Sequence, residues 1–119
     1  MKRLENKCAL ITGSARGIGT AFAEAYIREG AKVAIADINF NAAKETAERL
    51  GDAAFAVEMD VTSQESIDSA VADAISKMGK IDILINNAAL FTAAPIVDID
   101  RENFDRVFAV NFTGSLFTL

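Results

Sequence analysis

The apolar positions of this chain follow two alternating rhythms. Four short, nearly continuous apolar runs occupy residues 7–12, 32–37, 54–59 and 81–86. Between them lie longer stretches, 18–29, 41–50 and 63–78, whose apolar side chains return every three or four positions. The first rhythm predicts strands buried on both faces, and the second predicts helices with one buried face. Gly30, Gly51 and Gly79 follow the three helical stretches, as expected of helix C-caps. A loop over 88–98 holds the only proline, Pro95, and a further helical pattern covers 100–107. This alternation predicts an α/β fold, a doubly wound parallel sheet with right-handed crossovers and spatial strand order 3-2-1-4. Ligands of such sheets bind where the order reverses, here between strands 1 and 4. No repeat, linker or low-complexity tract intervenes, so one domain over 1–119 is expected.

The junction between the first strand and the first helix reads Thr12-Gly13-Ser14-Ala15-Arg16-Gly17-Ile18-Gly19. Glycines at a strand-to-helix turn have a physical use. Gly13 can adopt a tight turn, and Gly17 lets backbone amides approach a pyrophosphate. Gly19 lets helix and strand pack closely. The helix N-terminus then offers unpaired N–H groups and partial positive charge to the anion. Asp37 ends the second strand, at the distance where a carboxylate accepts hydrogen bonds from the adenosine ribose. It would also repel a 2′-phosphate, which argues for NAD over NADP, with Arg16 the only nearby cation arguing back. A helix N-cap or a solvated turn acid is the plainer reading of Asp37. Asp60-Val61 follows the third run, although Asp60 could simply end a strand before the capping box Thr62-Ser63-Gln64-Glu65. Asn86-Asn87-Ala88-Ala89 follows the fourth run.

The spacing Thr-Gly-x-x-x-Gly-x-Gly, with those three markers in order, resembles the short-chain dehydrogenase/reductase family. The resemblance implies a Rossmann-like fold and a nicotinamide coenzyme, NAD. It implies coenzyme contacts from Gly13, Ser14, Arg16, Gly17, Ile18 and Gly19. Asp37 and Ile38 would follow at the ribose, Asp60 and Val61 at the adenine, and Asn87 and Ala88 along the coenzyme. The family pattern there is Asn-Asn-Ala-Gly, so Ala89 departs from it, and its backbone must avoid glycine-only angles or be strained. Asn111 matches the family's catalytic Asn, which orders a water in the proton relay. An Asn that hydrogen-bonds nearby backbone and kinks its helix is the plainer reading. Ser14-Ala15-Arg16, Ile35 to Asn39 and Asn86 to Phe91 with Ala94-Pro95-Ile96 resemble bacterial polyol dehydrogenases, of the type that oxidises sorbitol to fructose. That subgroup implies hydride transfer between a secondary alcohol and NAD, with no metal.

The resemblance covers essentially the whole chain but only the first half of a family member. The family's catalytic Ser and its Tyr-x-x-x-Lys pair have no match. Tyr26 is the only tyrosine and is followed four residues later by Gly30, so helix packing explains it better. An unperturbed tyrosine titrates near pKa ~10 and needs a positioned cation to work at neutral pH. The chain alone is therefore expected to be inactive. A stand-alone nucleotide-binding module and an interaction subunit with a relic glycine loop remain the other readings.

Composition narrows the field further. The 119 residues are 51% hydrophobic with net charge −5, and mean hydropathy is +0.23, which suits a compact core and rules out disorder. No run is long enough to span a membrane, no signal peptide is evident, and the twelve Lys and Arg are scattered. A cytoplasmic protein with a small-molecule substrate, and neither nucleic-acid nor membrane partner, is expected. The absence of histidine removes Ser-His and Cys-His catalysis and the usual zinc sites. Cys8 stands alone in the first strand and reads as a buried small hydrophobe. The family resemblance implies a homo-oligomer, and an apolar fourth strand at the sheet edge predicts self-association.

Overall fold

The computed structural model describes residues 2–90 and 94–119. Met1 and residues 91–93 of the predicted 88–98 loop, Phe91 among them, lie outside the described residues. Strands β1 (Cys8–Thr12), β2 (Lys32–Asp37), β3 (Ala54–Glu58) and β4 (Ile83–Ile85) form one parallel sheet in the order β3-β2-β1-β4. Helices α1 (Gly17–Arg28), α2 (Phe40–Leu50) and α3 (Gln64–Met78) connect them. After β4 come a 3-10 turn (Ile96–Asp98), α4 (Arg101–Phe108), a π-helical segment (Ala109–Gly114) and α5 (Ser115–Thr118). The expected doubly wound architecture and strand order are both present.

Side-chain alternation explains the layering. Every residue of β1 is buried. Cys8 and Leu10 point to one face, where Ala34, Ala36 and Val57 meet Ile67, Ala70, Ala74 and Met78 of α3. Ala9 and Ile11 point to the other, where Val33 and Ile35 meet Ala23 of α1 with Ala43 and Ala47 of α2. A strand buried on both faces must be apolar at successive positions, and this one is. Small alanines recur on the helix faces, so the helices approach the sheet closely.

The β3-to-β4 connection crosses to the opposite face through α3, which leaves an open cleft between the C-terminal ends of β1 and β4. β4 is shorter than the predicted 81–86 run. Asp82 serves the head of β1 instead: its N–H donates to the Cys8 carbonyl at 2.8 Å, and its carboxylate accepts the Cys8 N–H at 2.9 Å. Asn87 then turns away to Thr12 and Gly13. α3 begins differently from the predicted capping box. Ser63, not Thr62, is its N-cap, accepting from the Ser66 N–H at 3.2 Å. The Ser66 hydroxyl in turn accepts the Asp60 N–H at 2.8 Å.

Candidate functional site

An open crevice of about 1170 Å³ lies over the C-terminal ends of β1 and β4. The glycine loop builds its floor. Gly13 (φ +64°) and Gly17 (φ +66°) both take left-handed backbone angles, a conformation that a side chain disfavours. A β-carbon on Gly19 would come within 2.6 Å of the Gly13 carbonyl and 2.7 Å of Asn87 Nδ2. Gly19 therefore permits the close seating of α1 on the sheet. A β-carbon on Gly17 would meet nothing within 4 Å. That space lies in front of the first turn of α1.

The first turn itself is unusual. Asn39, Ser63 and Asp100 each cap α2, α3 and α4 with a side-chain oxygen. The N-cap of α1 is Arg16, in extended conformation with no side-chain cap, and no acid occupies the first turn. The leading N–H groups of α1 thus keep their partial positive charge and open donors, the requirement for an anion site.

Asp37 stands across from this turn. Its Oδ2 accepts the Ala15 N–H at 3.2 Å and its Oδ1 the Asn39 N–H at 3.0 Å. These bonds orient the carboxylate, and each oxygen retains a further lone pair for a ligand donor. Asp60 accepts both the Thr62 N–H at 2.9 Å and the Thr62 hydroxyl at 2.6 Å on Oδ1. Its Oδ2 makes no bond among the described residues. Asp37 and Asp60 therefore serve local turns and line the crevice as well.

The β4 end is fixed through Thr12. Its hydroxyl accepts the Asn87 and Ala88 N–H groups, each at 3.0 Å. Asn87 Nδ2 donates to the Gly13 carbonyl at 3.1 Å. Ala89 causes no strain, because Asn6 is the only non-glycine residue with positive φ among the described residues. Leu90 is clamped by Asn111: its N–H donates to Asn111 Oδ1 at 2.7 Å, and its carbonyl accepts from Asn111 Nδ2 at 2.8 Å.

Of the residues singled out from the sequence, Gly13, Arg16, Asp37, Ile38, Asp60, Val61, Asn87 and Ala88 line the crevice together. Gly17 and Ile18 sit exposed on the first turn of α1, and Gly19 is buried beneath it. The Ser14 side chain faces the core. The hydroxyl is fully buried, donates to the Ile11 carbonyl at 2.7 Å and accepts the Ala36 N–H at 3.1 Å. Asn111 does not line the crevice, and its side chain holds the Leu90 backbone, 21 residues earlier in the chain. The sequence reading missed the far wall: Arg101, Glu102, Asp105, Arg106, Ala109 and Val110. Helical periodicity placed α4 in the chain but carried no signal for what it faces. Neither Arg101 nor Arg106, nor Arg16 opposite, joins an ion pair among the described residues. No group of three or more His, Cys, Asp or Glu there could hold a metal ion.

The uncapped helix end, the open space at Gly17 and the acid on the facing strand fit a dinucleotide. Known proteins resemble the chain in sequence and in fold. The chain is 63% identical over 98% of its length to a sorbitol dehydrogenase of Cereibacter sphaeroides. It is 51% identical over 98% of its length to a galactitol 2-dehydrogenase of Agrobacterium fabrum. It spans 46% of each of these relatives, a little under half. A 3-ketoacyl-(acyl-carrier-protein) reductase of Brucella melitensis, solved in complex with NADH, superposes with a TM-score of 0.93 at 40% identity, covering 97% of this chain and 48% of that one. Residues 7–119 match the family model described as short chain dehydrogenase, and the chain belongs to that family.

Proposed function

We propose that this chain forms a coenzyme-binding domain, incomplete on its C-terminal side, of an NAD-dependent dehydrogenase acting on a polyol of the sorbitol type. The observation that carries the coenzyme reading is the uncapped start of α1 beneath open space at Gly17. The pyrophosphate would lie there, held by the backbone of Gly17, Ile18 and Gly19. Asp37 would accept from the ribose hydroxyls beside Ile38, and its charge would disfavour a 2′-phosphate. Asp60 and Val61 would border the adenine, and Asn87 and Ala88 the nicotinamide side. The bound coenzyme supplies the hydride acceptor. The chain's own residues bind it, orient it and fix the β4 loop beside it. Asn111 holds Leu90 and is proposed, in the full-length enzyme, to order a water of the proton relay.

The substrate proposal rests on the two polyol dehydrogenase relatives. The chain holds no Tyr-x-x-x-Lys pair, so it is proposed to bind coenzyme weakly and to be inactive alone. A small-molecule substrate, a cytoplasmic location and self-association through exposed apolar surface belong to the same reading. No helix among the described residues is long and apolar enough to cross a membrane.

Asp37→Ala tests the coenzyme choice. Titrated with NAD and with NADP, the variant should lose about tenfold of its preference for NAD, the factor that ~1.4 kcal/mol represents. An unchanged preference would sink the role given to Asp37.

A further inference from the structure

Gly114 lies in the interior of a continuous helical segment, between Thr113 and Ser115. Its backbone angles are ordinary for a helix, φ −60° and ψ −44°. Glycine in such a place costs helix stability for no conformational benefit. Its missing side chain must therefore be what the fold uses. A β-carbon there would come within 2.8 Å of Val61 Cγ2, 2.9 Å of the Val61 carbonyl oxygen and 3.0 Å of Val61 Cβ. Gly114 is buried against that residue, while Phe112 and Thr113 before it are exposed. Two further bonds fix this end of the segment. The Gly114 carbonyl accepts the buried Thr118 hydroxyl at 2.7 Å, and Asn86 Nδ2 donates to the Ser115 carbonyl at 3.1 Å.

Val61 and Leu90 both line the crevice. The π-helical segment touches each of them, Val61 through Gly114 and Leu90 through Asn111. It is a strut between the two walls, and the contact at Gly114 sets where the Val61 wall stands. We infer that Gly114 is a positioning residue for the adenosine end of the crevice, where its close approach to Val61 shapes the site for adenosine-containing ligands. This inference rests on the coenzyme reading above. A side chain at 114 would have to displace either the helix or the Val61 backbone, since the opposing atoms include a main-chain oxygen.

The test titrates ADP-ribose and inorganic pyrophosphate into this chain, following amide resonances. Pyrophosphate probes the start of α1 without reaching Val61. Gly114→Ala should weaken ADP-ribose about tenfold and leave pyrophosphate unchanged. In a Val61→Ala background, which lacks the Cγ2 conflict, Gly114→Ala should cost less ADP-ribose affinity than in wild type, and should fold there if Gly114→Ala alone does not. Equal ADP-ribose affinity in wild type and Gly114→Ala overturns the inference. So does equal loss of both ligands, which marks general damage, or a Gly114→Ala cost as large in the Val61→Ala background as in wild type. A wild-type chain whose Gly17–Gly19 and Val61 amides respond to neither ligand sinks the coenzyme reading and this inference with it.

Discussion

Thr12 and Ser14 carry buried hydroxyls two residues apart, and each adds side-chain bonds at the end of β1 to those of the sheet ladder. Thr12 holds the β4 loop. Ser14 joins the end of β1 to β2 through the Ile11 carbonyl and the Ala36 N–H. Removing that hydroxyl leaves a buried N–H without its partner, which costs about 1–3 kcal/mol. Ser14→Ala should therefore lower the unfolding free energy by that amount in urea titration, while pyrophosphate affinity per folded molecule stays the same. An unfolding curve that coincides with wild type would contradict this account. Glycines announce their roles in sequence because few residues can replace them at left-handed angles or close contacts, as at Gly13, Gly17 and Gly19. A serine in the same loop announces nothing, since its hydroxyl can face a ligand or the core with equal chemistry. Only the packing of β2 against the loop decides. Asn111 was ambiguous for the same reason.

At the scale of elements, the strands and the first three helices were legible because each buries a face, and burial writes a period into the sequence. Where a segment buries little, the period fades. α4 buries none of its residues, and the π-helical turn that follows adds a residue per turn that apolar spacing does not mark. Few buried contacts make a segment the first to open. Amides of α4 should exchange with deuterium far faster than those of β1 and β2, and equal protection in both would show the opposite. The head of β1 carries a second, pH-linked prediction. The Cys8 N–H first, and the Lys80 ammonium at 3.0 Å next, hold the Asp82 carboxyl below its ordinary value. Glu29 is lowered likewise by the Arg3 N–H and guanidinium. A depressed folded pKa stabilises above the unfolded value, about 3.9 for Asp, and that stabilisation is lost as pH falls through the folded value. The urea midpoint should drop as acid is added below pH ~4, and Asp82→Asn should flatten part of the drop. Parallel profiles for variant and wild type would remove Asp82 from the explanation.

The whole molecule is longer than its mass requires. Its radius of gyration is 14.9 Å, against about 13.5 Å for a compact chain of this size. Apolar side chains after β4 are exposed. Phe104, Phe108 and Phe112 follow one another at i, i+4 spacing, with ring centroids 5.9 and 5.1 Å apart. All three are about half exposed, and Leu116, Phe117 and Leu119 extend the apolar surface. The β4 edge beside them is only half-buried. Layering was legible because alternation and handedness prescribe it, and strand order because the glycine-loop motif resembles that of a Rossmann-type sheet. This surface was legible only in part, since the sequence pointed to the β4 edge and not to the aromatic ridge. An apolar patch rimmed by charges such as Arg101, Asp105 and Arg106 favours association. The chain should therefore sediment as a dimer or larger species at micromolar concentration. Phe108→Lys, at the centre of the ridge, should shift it toward monomer without altering pyrophosphate binding at α1. A Phe108→Lys chain that still associates as wild type does would move the contact to the β4 edge. A clean monomer in the wild type would show that neither surface drives assembly.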